Sequence, residues 1–320
     1  MNELCVFSGN AHPELARDIC RHLGIELGDV QVSRFSNENI WVKINENVRG
    51  KDVFIVQPFA TPVSDSIMEL LIMVDAFKRA SARRVTAVVP YYAYGRTDKK
   101  DQPRVPITAR LIADCLTTVG ASRFLTMDLH AGQIQGFFNI PVDELTAQHV
   151  LAAYFHRRDL GELTVVATDA GYAKRARNFA EMLDVPLAIV EKRRMGNTGK
   201  TETLGLIGNV TGRNALIVDD EIDTAGSVMQ AVGLVRSLGA GEVYVAATHG
   251  VLSGPAIERL GADGIRELVL TDTVPLPPVK RLPNLTVLSV AELFAGAILR
   301  IHEERSVAEL FQQGAASLAR

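Results

Sequence analysis

Short apolar runs alternate with amphipathic stretches along almost the whole chain. The apolar runs have the length of buried strands, and the stretches between them have the 3.6-residue period of helices. This alternation is typical of parallel sheets that are covered by helices on both faces. We predict strands at 4–8, 52–57, 85–91, 124–129, 163–168, 187–191, 215–219, 243–248 and 267–271. We predict helices at 12–23, 64–80, 107–119, 172–183, 224–238 and 290–303.

The alternating series is long enough for two domains and has one clear break. The chain has 320 residues, which is long for a single domain. Segment 141–148 interrupts the pattern between two runs of similar length. We therefore expect an N-terminal domain at 1–145 and a C-terminal domain at 146–302, with residues 303–320 packing back on the first. The proline-rich segment 273–284 is expected to be a loop and not a linker between domains.

The overall charge and the cysteines exclude several classes of protein. A net charge of −3 argues against a general nucleic-acid binder, because such proteins carry a strong basic excess. Cys5, Cys20 and Cys115 form no C-x-x-C pair, which indicates a reducing compartment. Residues 1–10 lack the pattern of a signal peptide, and charges interrupt the long apolar stretches. We therefore expect a cytoplasmic protein that binds neither nucleic acid nor a membrane.

One predicted strand end carries an unusual density of carboxylates. The apolar run 215–218 leads directly into four acidic side chains within 219–223, and a helix pattern begins after Thr224. Small residues there let an anion approach the N–H groups of the helix start, and hydroxyls of Thr224 and Ser227 can donate to it. The carboxylates before them can accept hydrogen bonds from sugar hydroxyls or hold Mg²⁺. Segment 219–227 therefore favours a phosphorylated sugar as its ligand.

A plainer interpretation of this segment is open from the residues alone. Asp223 or Thr224 can cap the N-terminus of the following helix, and a cap needs no ligand. That interpretation accounts less well for the adjacent pair Asp219 and Asp220.

Longer stretches of the sequence resemble known families. The apolar strand, the two acidic residues and the D-T-A-G-S run at 223–227 resemble the phosphoribosyl-diphosphate binding loop of type I phosphoribosyltransferases. Six further segments together resemble the ribose-phosphate pyrophosphokinase family: RFSNEN (34–39), VRGKDVFIVQ (48–57), MELLIMVDAFKRASA (68–82), YAYGRTDKK (92–100), TMDLHAGQIQGFFNIPVD (126–143) and EKRR (191–194). The resemblance covers nearly the whole chain, from about the first strand to SVAELF (306–311).

The resemblance implies a fold and a reaction. It implies an α/β chain of two tandem type I phosphoribosyltransferase-like domains, each a mainly parallel sheet flanked by helices. The family transfers diphosphate from ATP to the anomeric hydroxyl of ribose 5-phosphate, which gives 5-phosphoribosyl 1-diphosphate and AMP for nucleotide biosynthesis. The resemblance also implies Mg²⁺ as the cofactor and a homo-oligomer, specifically a hexamer built from dimers.

The resemblance assigns roles to individual residues. Lys192 and Arg194 are the catalytic cations on a loop that closes over the site, and segment 193–203 is expected to be a mobile lid. His130 and Asp169 bind the metal. The ribose 5-phosphate site comprises Arg194, Asp219, Asp220, Asp223, Thr224, Ala225, Gly226 and Ser227. The ATP site comprises Phe35, Asn37, Glu38, Asn39, Arg96, Thr97, Asp98, Lys99, Lys100 and His130.

Several positions depart from the family's pattern. Thr168 and Tyr172 flank Asp169 where the family commonly has Pro and Gly, and Tyr172 is expected to alter the local backbone. Asn39 stands where many relatives have Glu, and Thr97 replaces the usual Gln.

A regulatory anion site is also implied by the resemblance. It comprises Arg49, Ser81, Arg104, Gln135 and Ser306. Asn47 and Ala308 stand where phosphate-dependent relatives have Ser, so we expect weaker activation by phosphate and weaker inhibition by ADP.

Two other functions are open beside the synthetase. A phosphoribosyltransferase would share segment 219–227 but would need neither the N-terminal half nor segment 96–100. A regulatory subunit would keep the fold and lose catalysis, although intact Lys192 and His130 argue against it. Formation of AMP from ATP and ribose 5-phosphate distinguishes the synthetase from both.

Overall fold

The computed structural model describes residues 3–194 and 201–310, and it describes side chains at 3–191 and 205–310. Within the described residues the chain forms two compact units. The first unit comprises the chain up to Thr146 together with Thr273–Pro275 and Ser289–Leu310. The second unit comprises Ala147–Asp272 and Leu276–Leu288.

The first unit is built on a parallel sheet. In chain order its elements are β1 (Leu4–Ser8), α1 (Pro13–Leu23), β2 (Val30–Arg34), β3 (Ile40–Ile44), β4 (Asp52–Val56), α2 (Val63–Arg79), β5 (Arg84–Val89), α3 (Thr108–Val119), β6 (Arg123–Met127), β7 (Val142–Leu145) and α8 (Ala291–His302). The described strands of the sheet lie in the order β1-β4-β5-β6-β7, and each neighbouring pair is parallel. Strands β2 and β3 form a separate antiparallel pair.

Burial explains why this sheet forms from these residues. Strand β4 is buried at every position, because a parallel sheet covered on both faces favours continuous apolar runs. Helix α1 begins at Pro13, whose fixed φ suits the first helical turn, and it ends at Gly24, which adopts a left-handed φ of 68°. Helix α8 packs against α1, which places the C-terminal described segment in the first unit.

The second unit contains a larger sheet. In chain order its elements are α4 (Gln148–His156), β8 (Leu163–Ala167), α5 (Ala173–Leu183), β9 (Leu187–Arg194), β10 (Thr201–Ile207), β11 (Asn214–Ile222), α6 (Gly226–Ser237), β12 (Val243–Gly250), α7 (Ala256–Leu260), β13 (Glu267–Thr271) and β14 (Leu285–Leu288). The described strands lie in the order β10-β9-β8-β11-β12-β13-β14. Strand β10 is antiparallel to β9, and the other neighbouring pairs are parallel.

The structure corrects two expectations about domains and loops and agrees with part of a third. Residues 289–302 were expected in the second domain but lie in the first unit, because α8 packs on α1. The proline-rich segment 273–284 is not confined to one unit, since Thr273–Pro275 belongs to the first and Leu276–Leu288 to the second. Residues 303–310 lie in the first unit, and residues 311–320 fall outside the described residues.

Every strand and helix predicted from the alternation is present within the described residues, but the prediction was incomplete. It missed two helices, α4 and α7, and the strands β2, β3, β7, β10 and β14. Strands β9 and β11 extend to Arg194 and Ile222, beyond their predicted ends at 191 and 219.

Candidate active site

The acidic segment lies where the strand order of the second sheet reverses. Strand β8 is followed along the chain by β9 on one side, whereas β11 is followed by β12 on the other. Loops that leave two such strands diverge and open a crevice at the carboxyl ends, where ligands of open α/β sheets bind. Val218 pairs with Ala167, so Asp219 follows at this edge beside Thr168.

Two hydrogen bonds hold the Asp219 carboxyl at this edge. The Thr168 hydroxyl donates to Asp219 Oδ2 at 2.7 Å, and the Asp220 backbone N–H donates to Asp219 Oδ1 at 2.9 Å. Desolvation, followed by the carboxylates of Asp220 and Asp169, raises the pKa of Asp219 well above its usual range. A cation or a donating hydroxyl beside this group would favour its charged form. The site therefore favours ligands of that kind.

Strand β11 continues through the acidic residues instead of ending at 219. Its partner β12 continues to Gly250, and the two strands pair at Glu221 with His249 and at Ile222 with Gly250. Asp220 and Glu221 are therefore strand residues, and they are only 5% and 9% exposed.

The helix after this strand begins at Gly226 and not at 224. Ala225 is its N-cap residue, with a left-handed φ of 60° and ψ of 9°. The first N–H groups of a helix have no partner within the helix and point out of its N-terminus. Thr224 and Ser227 are exposed beside them. This arrangement is suited to binding an anion such as a phosphate.

The backbone of Ala225 leads to a prediction about stability. Replacing Ala225 with Gly should relieve a left-handed φ that costs about 1 kcal/mol or more. It should also remove a methyl group that is buried in the core of the second unit, which costs about 1 kcal/mol. We therefore expect a free energy of unfolding within about 1 kcal/mol of the wild type. Urea unfolding measures this quantity.

The matched variant is Ala225→Val, which adds a β-branched side chain at the same left-handed position. Both the backbone and the packed core oppose it, so we expect a loss of about 2–4 kcal/mol. Equal stability of the Val variant and the wild type would contradict the strain at Ala225.

Two residues that the sequence analysis did not identify hold the loop. The Ser253 hydroxyl donates to Asp223 Oδ1, and the Ser253 N–H donates to the Asp223 carbonyl at 2.9 Å. Arg259 Nη1 donates to the Thr224 carbonyl at 2.9 Å. These partners lie 30 and 35 positions along the chain, so no local motif could have indicated them.

Asp169 follows β8 on the other side of the crevice. The Tyr172 N–H donates to Asp169 Oδ1 at 3.1 Å and orients the carboxylate. Tyr172 has a helical φ of −88°, so its replacement of the family's Gly does not require an unusual backbone there. Thr168, the other departure from the family's pattern, supplies the hydrogen bond to Asp219.

The catalytic cations were expected on a loop, but the structure places their backbone in β9. Lys192 pairs with Thr203 and Arg194 pairs with Thr201 on β10. Residues 193–194 and 201–203 of the expected lid are therefore strand residues, because β9 and β10 pair with each other. Residues 195–200 and the side chains of Lys192 and Arg194 lie outside the described residues.

The first unit contains the residues expected to bind adenine in the connection between β2 and β3. The Phe35 N–H donates to the Asn39 carbonyl at 3.0 Å, and Glu38 has a left-handed φ of 67°. Asn37 Oδ1 accepts from the Asn39 N–H at 3.2 Å. Phe35 is 56% exposed, and its ring lies edge-on to Trp41 with the centroids 6.3 Å apart. The turn therefore leaves an aromatic ring exposed.

The expected phosphate-gripping segment 96–100 begins beside His130. A Cβ atom added at Gly95 would lie 3.2 Å from the His130 Cβ, so the two backbones are in close contact. Arg96, Lys99 and Lys100 are exposed.

Two other members of this segment have partners within the first unit. The Thr97 hydroxyl donates to the Tyr94 carbonyl at 2.7 Å. Asp98 is 8% exposed and accepts a hydrogen bond from Gln133 Nε2. These two side chains therefore help to shape the segment.

The residues expected at the regulatory anion site lie in several parts of the first unit. The Gly50 N–H donates to the Ser81 carbonyl at 2.9 Å, which places Arg49 close to Ser81. Arg104 has a left-handed φ of 67°, and Gln135 Nε2 donates to Glu144.

Ser306 and Ala308 line a cavity of about 570 Å³ in the first unit. The other residues that line it are Arg84, Arg123, Asp143, Ile301, Glu304, Arg305 and Val307. Each arginine that lines the cavity already pairs with a carboxylate. Arg84 pairs with Asp52, Arg123 with Asp143, and Arg305 with Glu303. The remaining four residues expected at the anion site do not line this cavity.

No helix in the described part of the chain is long and apolar enough to cross a membrane.

Comparison with known proteins identifies the family. The model for the N-terminal domain of ribose phosphate pyrophosphokinase matches residues 4–120, and the phosphoribosyl synthetase-associated domain matches residues 195–312. The ribose-phosphate pyrophosphokinase of Caldanaerobacter subterraneus subsp. tengcongensis is 54% identical over 311 residues, which cover 97% of this chain and 98% of that protein. The chain belongs to the ribose-phosphate pyrophosphokinase family.

Two further relatives agree with this assignment. The ribose-phosphate pyrophosphokinase of Clostridium acetobutylicum is 52% identical over 310 residues, which cover 96% of this chain and 97% of that protein. The crystal structure of phosphoribosylpyrophosphate synthetase from Mycobacterium smegmatis is 43% identical, has a TM-score of 0.90, and covers 95% of this chain and 100% of that one.

The family and the α/β fold predicted from the sequence are confirmed. As a member of this family the chain is an enzyme, a ribose-phosphate diphosphokinase that acts in nucleotide biosynthesis. Because the resemblance extends over both halves, a phosphoribosyltransferase that shares only segment 219–227 is no longer a competing assignment.

Proposed function

We propose that the second unit binds ribose 5-phosphate along segment 219–227 and that the anomeric hydroxyl attacks the β-phosphorus of ATP. A bond forms between that hydroxyl oxygen and the β-phosphorus, and the hydroxyl gives up its proton. The bond from the β-phosphorus to the oxygen that bridges the α- and β-phosphates breaks, and AMP leaves with that oxygen. The observation that carries this proposal is the acidic strand end, followed by a helix N-terminus, at the point where the strand order reverses.

The chemistry of the segment suits both ends of the sugar phosphate. The N–H groups at the start of α6 and the hydroxyls of Thr224 and Ser227 would hold the 5-phosphate. Asp219, Asp220 and Asp223 would accept hydrogen bonds from the ribose hydroxyls. Thr168, Ser253 and Arg259 would fix the geometry, because each of them hydrogen-bonds the segment.

The family implies a divalent metal, and we propose that it is Mg²⁺. The donor set fits, because carboxylate oxygens are the protein ligands that Mg²⁺ prefers. A cation would also offset the burial and the neighbouring carboxylates that raise the pKa of Asp219. Asp169 is the proposed ligand in the second unit, and His130 is a further one in the first. When bound, Mg²⁺ would supply positive charge that neutralises part of the negative charge of the phosphates.

For the nucleotide, we propose that Phe35 stacks on adenine while Asn37, Glu38 and Asn39 contact its edge. Arg96, Lys99 and Lys100 would hold the phosphates, and Thr97 and Asp98 would shape the segment that carries them. Lys192 and Arg194 would stabilise charge on the migrating group and on the leaving AMP, since phosphoryl transfer depends mainly on positioning and electrostatics. By family resemblance we also propose that the enzyme acts in the cytoplasm as a homohexamer.

The direct test is formation of AMP and 5-phosphoribosyl 1-diphosphate from ATP, ribose 5-phosphate and Mg²⁺. The proposed phosphate cradle consists of residues 224–227 at the start of α6, and the variant Ser227→Val removes a hydroxyl from it. The variant Ser237→Val makes the same change at the far end of α6. We expect Ser227→Val to weaken binding of ribose 5-phosphate and Ser237→Val to leave it intact. A protein that forms no AMP would instead be a regulatory subunit.

Activation by inorganic phosphate is predicted to be weaker than in phosphate-dependent relatives. Ala308 offers no side-chain donor, and a lost hydrogen bond to a charged group costs about 1.5–3 kcal/mol. The arginines beside Ala308 already pair with carboxylates, which further reduces their availability to an anion. Activity is to be measured against phosphate concentration in a buffer without other oxyanions.

The variant Ala308→Ser restores the missing hydroxyl and should lower the half-activating phosphate concentration about tenfold. Ala262→Ser, an exposed position in the second unit, is the matched control. Strong saturable activation of the unmodified enzyme at low phosphate would contradict this prediction.

A further inference from the structure

A turn packed against the sugar-binding segment has a strained backbone. Leu252 has a left-handed φ of 50°, although it is bulky and only 2% exposed. A left-handed backbone is unfavourable for such a residue and persists only where surrounding contacts enforce it. Residues 251–253, the backing turn, therefore require contacts that compensate for this strain.

The backing turn is bonded to the end of β11 and to the loop after it. The Leu252 N–H donates to the Ile222 carbonyl at 3.0 Å, and the Ser253 N–H donates to the Asp223 carbonyl at 2.9 Å. The Ser253 hydroxyl also donates to the Asp223 carboxylate. The position of the backing turn thus sets both the backbone and the side chain of Asp223.

Lys280 holds the other side of the backing turn. This residue ends the short 3-10 helix Pro278–Lys280, and its Nζ donates to the Val251 carbonyl at 2.8 Å. Burial lowers the pKa of Lys280, and the Asp223 carboxylate opposes that shift. A partly buried ammonium is unfavourable unless it is paired, so this placement requires the Val251 carbonyl and the nearby Asp223.

We infer that Lys280 is a positioning residue for ribose 5-phosphate: it fixes the backing turn, which in turn fixes Asp223 and the phosphate cradle that begins at Thr224. The inference rests on the proposed role of segment 219–227 in binding the sugar. Lys280 acts through Val251 and Ser253 and need not touch the substrate.

The decisive variant is Lys280→Met, which keeps the length of the side chain and removes its charge and its donor. We expect the Kd of the full-length enzyme for ribose 5-phosphate to rise about tenfold, the effect of one lost charge-assisted hydrogen bond. The KM for ATP and kcat at saturating ribose 5-phosphate should stay within about twofold, because only ground-state positioning of the sugar changes. Calorimetric titration with ribose 5-phosphate and steady-state kinetics measure these quantities.

Three further variants separate positioning from a general loss of structure. Lys280→Arg keeps a cation and a donor and should restore most of the affinity. Ser253→Ala should weaken sugar binding alone, and the double variant Lys280→Met/Ser253→Ala should lose less than the combined single effects, since both act through Asp223. Arg281→Met is the matched control, because it removes a cation at the next, exposed position.

The outcomes are distinguishable from failure of the proposed function. If Ser227→Val weakens ribose 5-phosphate binding but Lys280→Met leaves it unchanged, the positioning role is overturned and the sugar site stands. If Ser227→Val itself has no effect, the assignment of segment 219–227 fails. Equal losses for ATP and for ribose 5-phosphate in Lys280→Met, or an equal loss of sugar binding in Arg281→Met, would also overturn the positioning role.

Discussion

Replacing Asp219 with Asn is expected to lower the rate of AMP formation about 10²-fold, since a charge-assisted hydrogen bond is worth up to about 3 kcal/mol and each 1.4 kcal/mol is tenfold. The variant keeps the size of the side chain. Its amide oxygen can still accept from the Asp220 N–H, and the Thr168 hydroxyl can reverse to accept from the amide nitrogen. The loss of rate would therefore report the missing carboxylate and not a disrupted strand.

The same variant should be more stable than the wild type in the absence of ligands. Folding raises the pKa of Asp219 above its unfolded value, so the folded state disfavours the charged form. The resulting contribution to stability is fully present below the unfolded pKa, near 3.9, and is lost as the pH rises through the folded pKa. The amide of the Asp219→Asn variant cannot titrate, so at neutral pH the variant should gain about 0.5–2 kcal/mol.

Urea unfolding at several pH values, together with the AMP assay, measures both effects. The difference in stability between wild type and variant should grow as the pH rises above about 4. Asp263→Asn is the matched control, because Asp263 is exposed and lies away from the acidic strand end. A variant that is less active and also less stable at neutral pH would show that Asp219 is a structural carboxylate.

The buried parallel strands could be predicted from the sequence, and the edge strands could not. Strand β4 is a continuous apolar run because both of its faces are covered, and such a run is visible in the sequence. Strands β2 and β3 are mostly half-exposed and mix polar with apolar residues. Strand β10 contains polar residues and is a strand because β9 pairs with it, which is a partnership that the sequence does not display.

Part of the candidate site could likewise be predicted from the sequence, and part could not. Apart from Arg194, the residues expected to touch the sugar lie in one continuous segment, so a motif could identify them together. Thr168 was noticed only as a departure from the family's pattern, yet its hydroxyl donates to Asp219. Ser253 and Arg259 reach Asp223 and Thr224 from a distant segment, and only the packing of α7 and the backing turn brings them there.

Removing the Lys192 ammonium is expected to lower kcat about 10²–10³-fold, the usual cost of losing one donor that stabilises transition-state charge. The backbone register supports its place near the reacting groups. Ile189 pairs with Ala167, so Val190 is level with Thr168, and Lys192 lies two residues, about 7 Å, further past this edge of the sheet. Asp169 after β8 and the carboxylates at the end of β11 lie at the same edge of this sheet.

The variant Lys192→Ala should leave the Kd for ribose 5-phosphate nearly unchanged. The sugar segment lies at the end of β11 and after it, and not on β9, and a transition-state contact affects kcat more than ground-state binding. Arg193→Ala is the matched control, since it removes a cation from the adjacent position of the same strand that has no proposed role. Single-turnover rates with saturating ATP and ribose 5-phosphate, and calorimetric binding of the sugar, measure the two quantities. A Lys192→Ala enzyme with the wild-type rate would remove this residue from the chemistry. Equal losses in both variants would assign the effect to the general positive charge of β9.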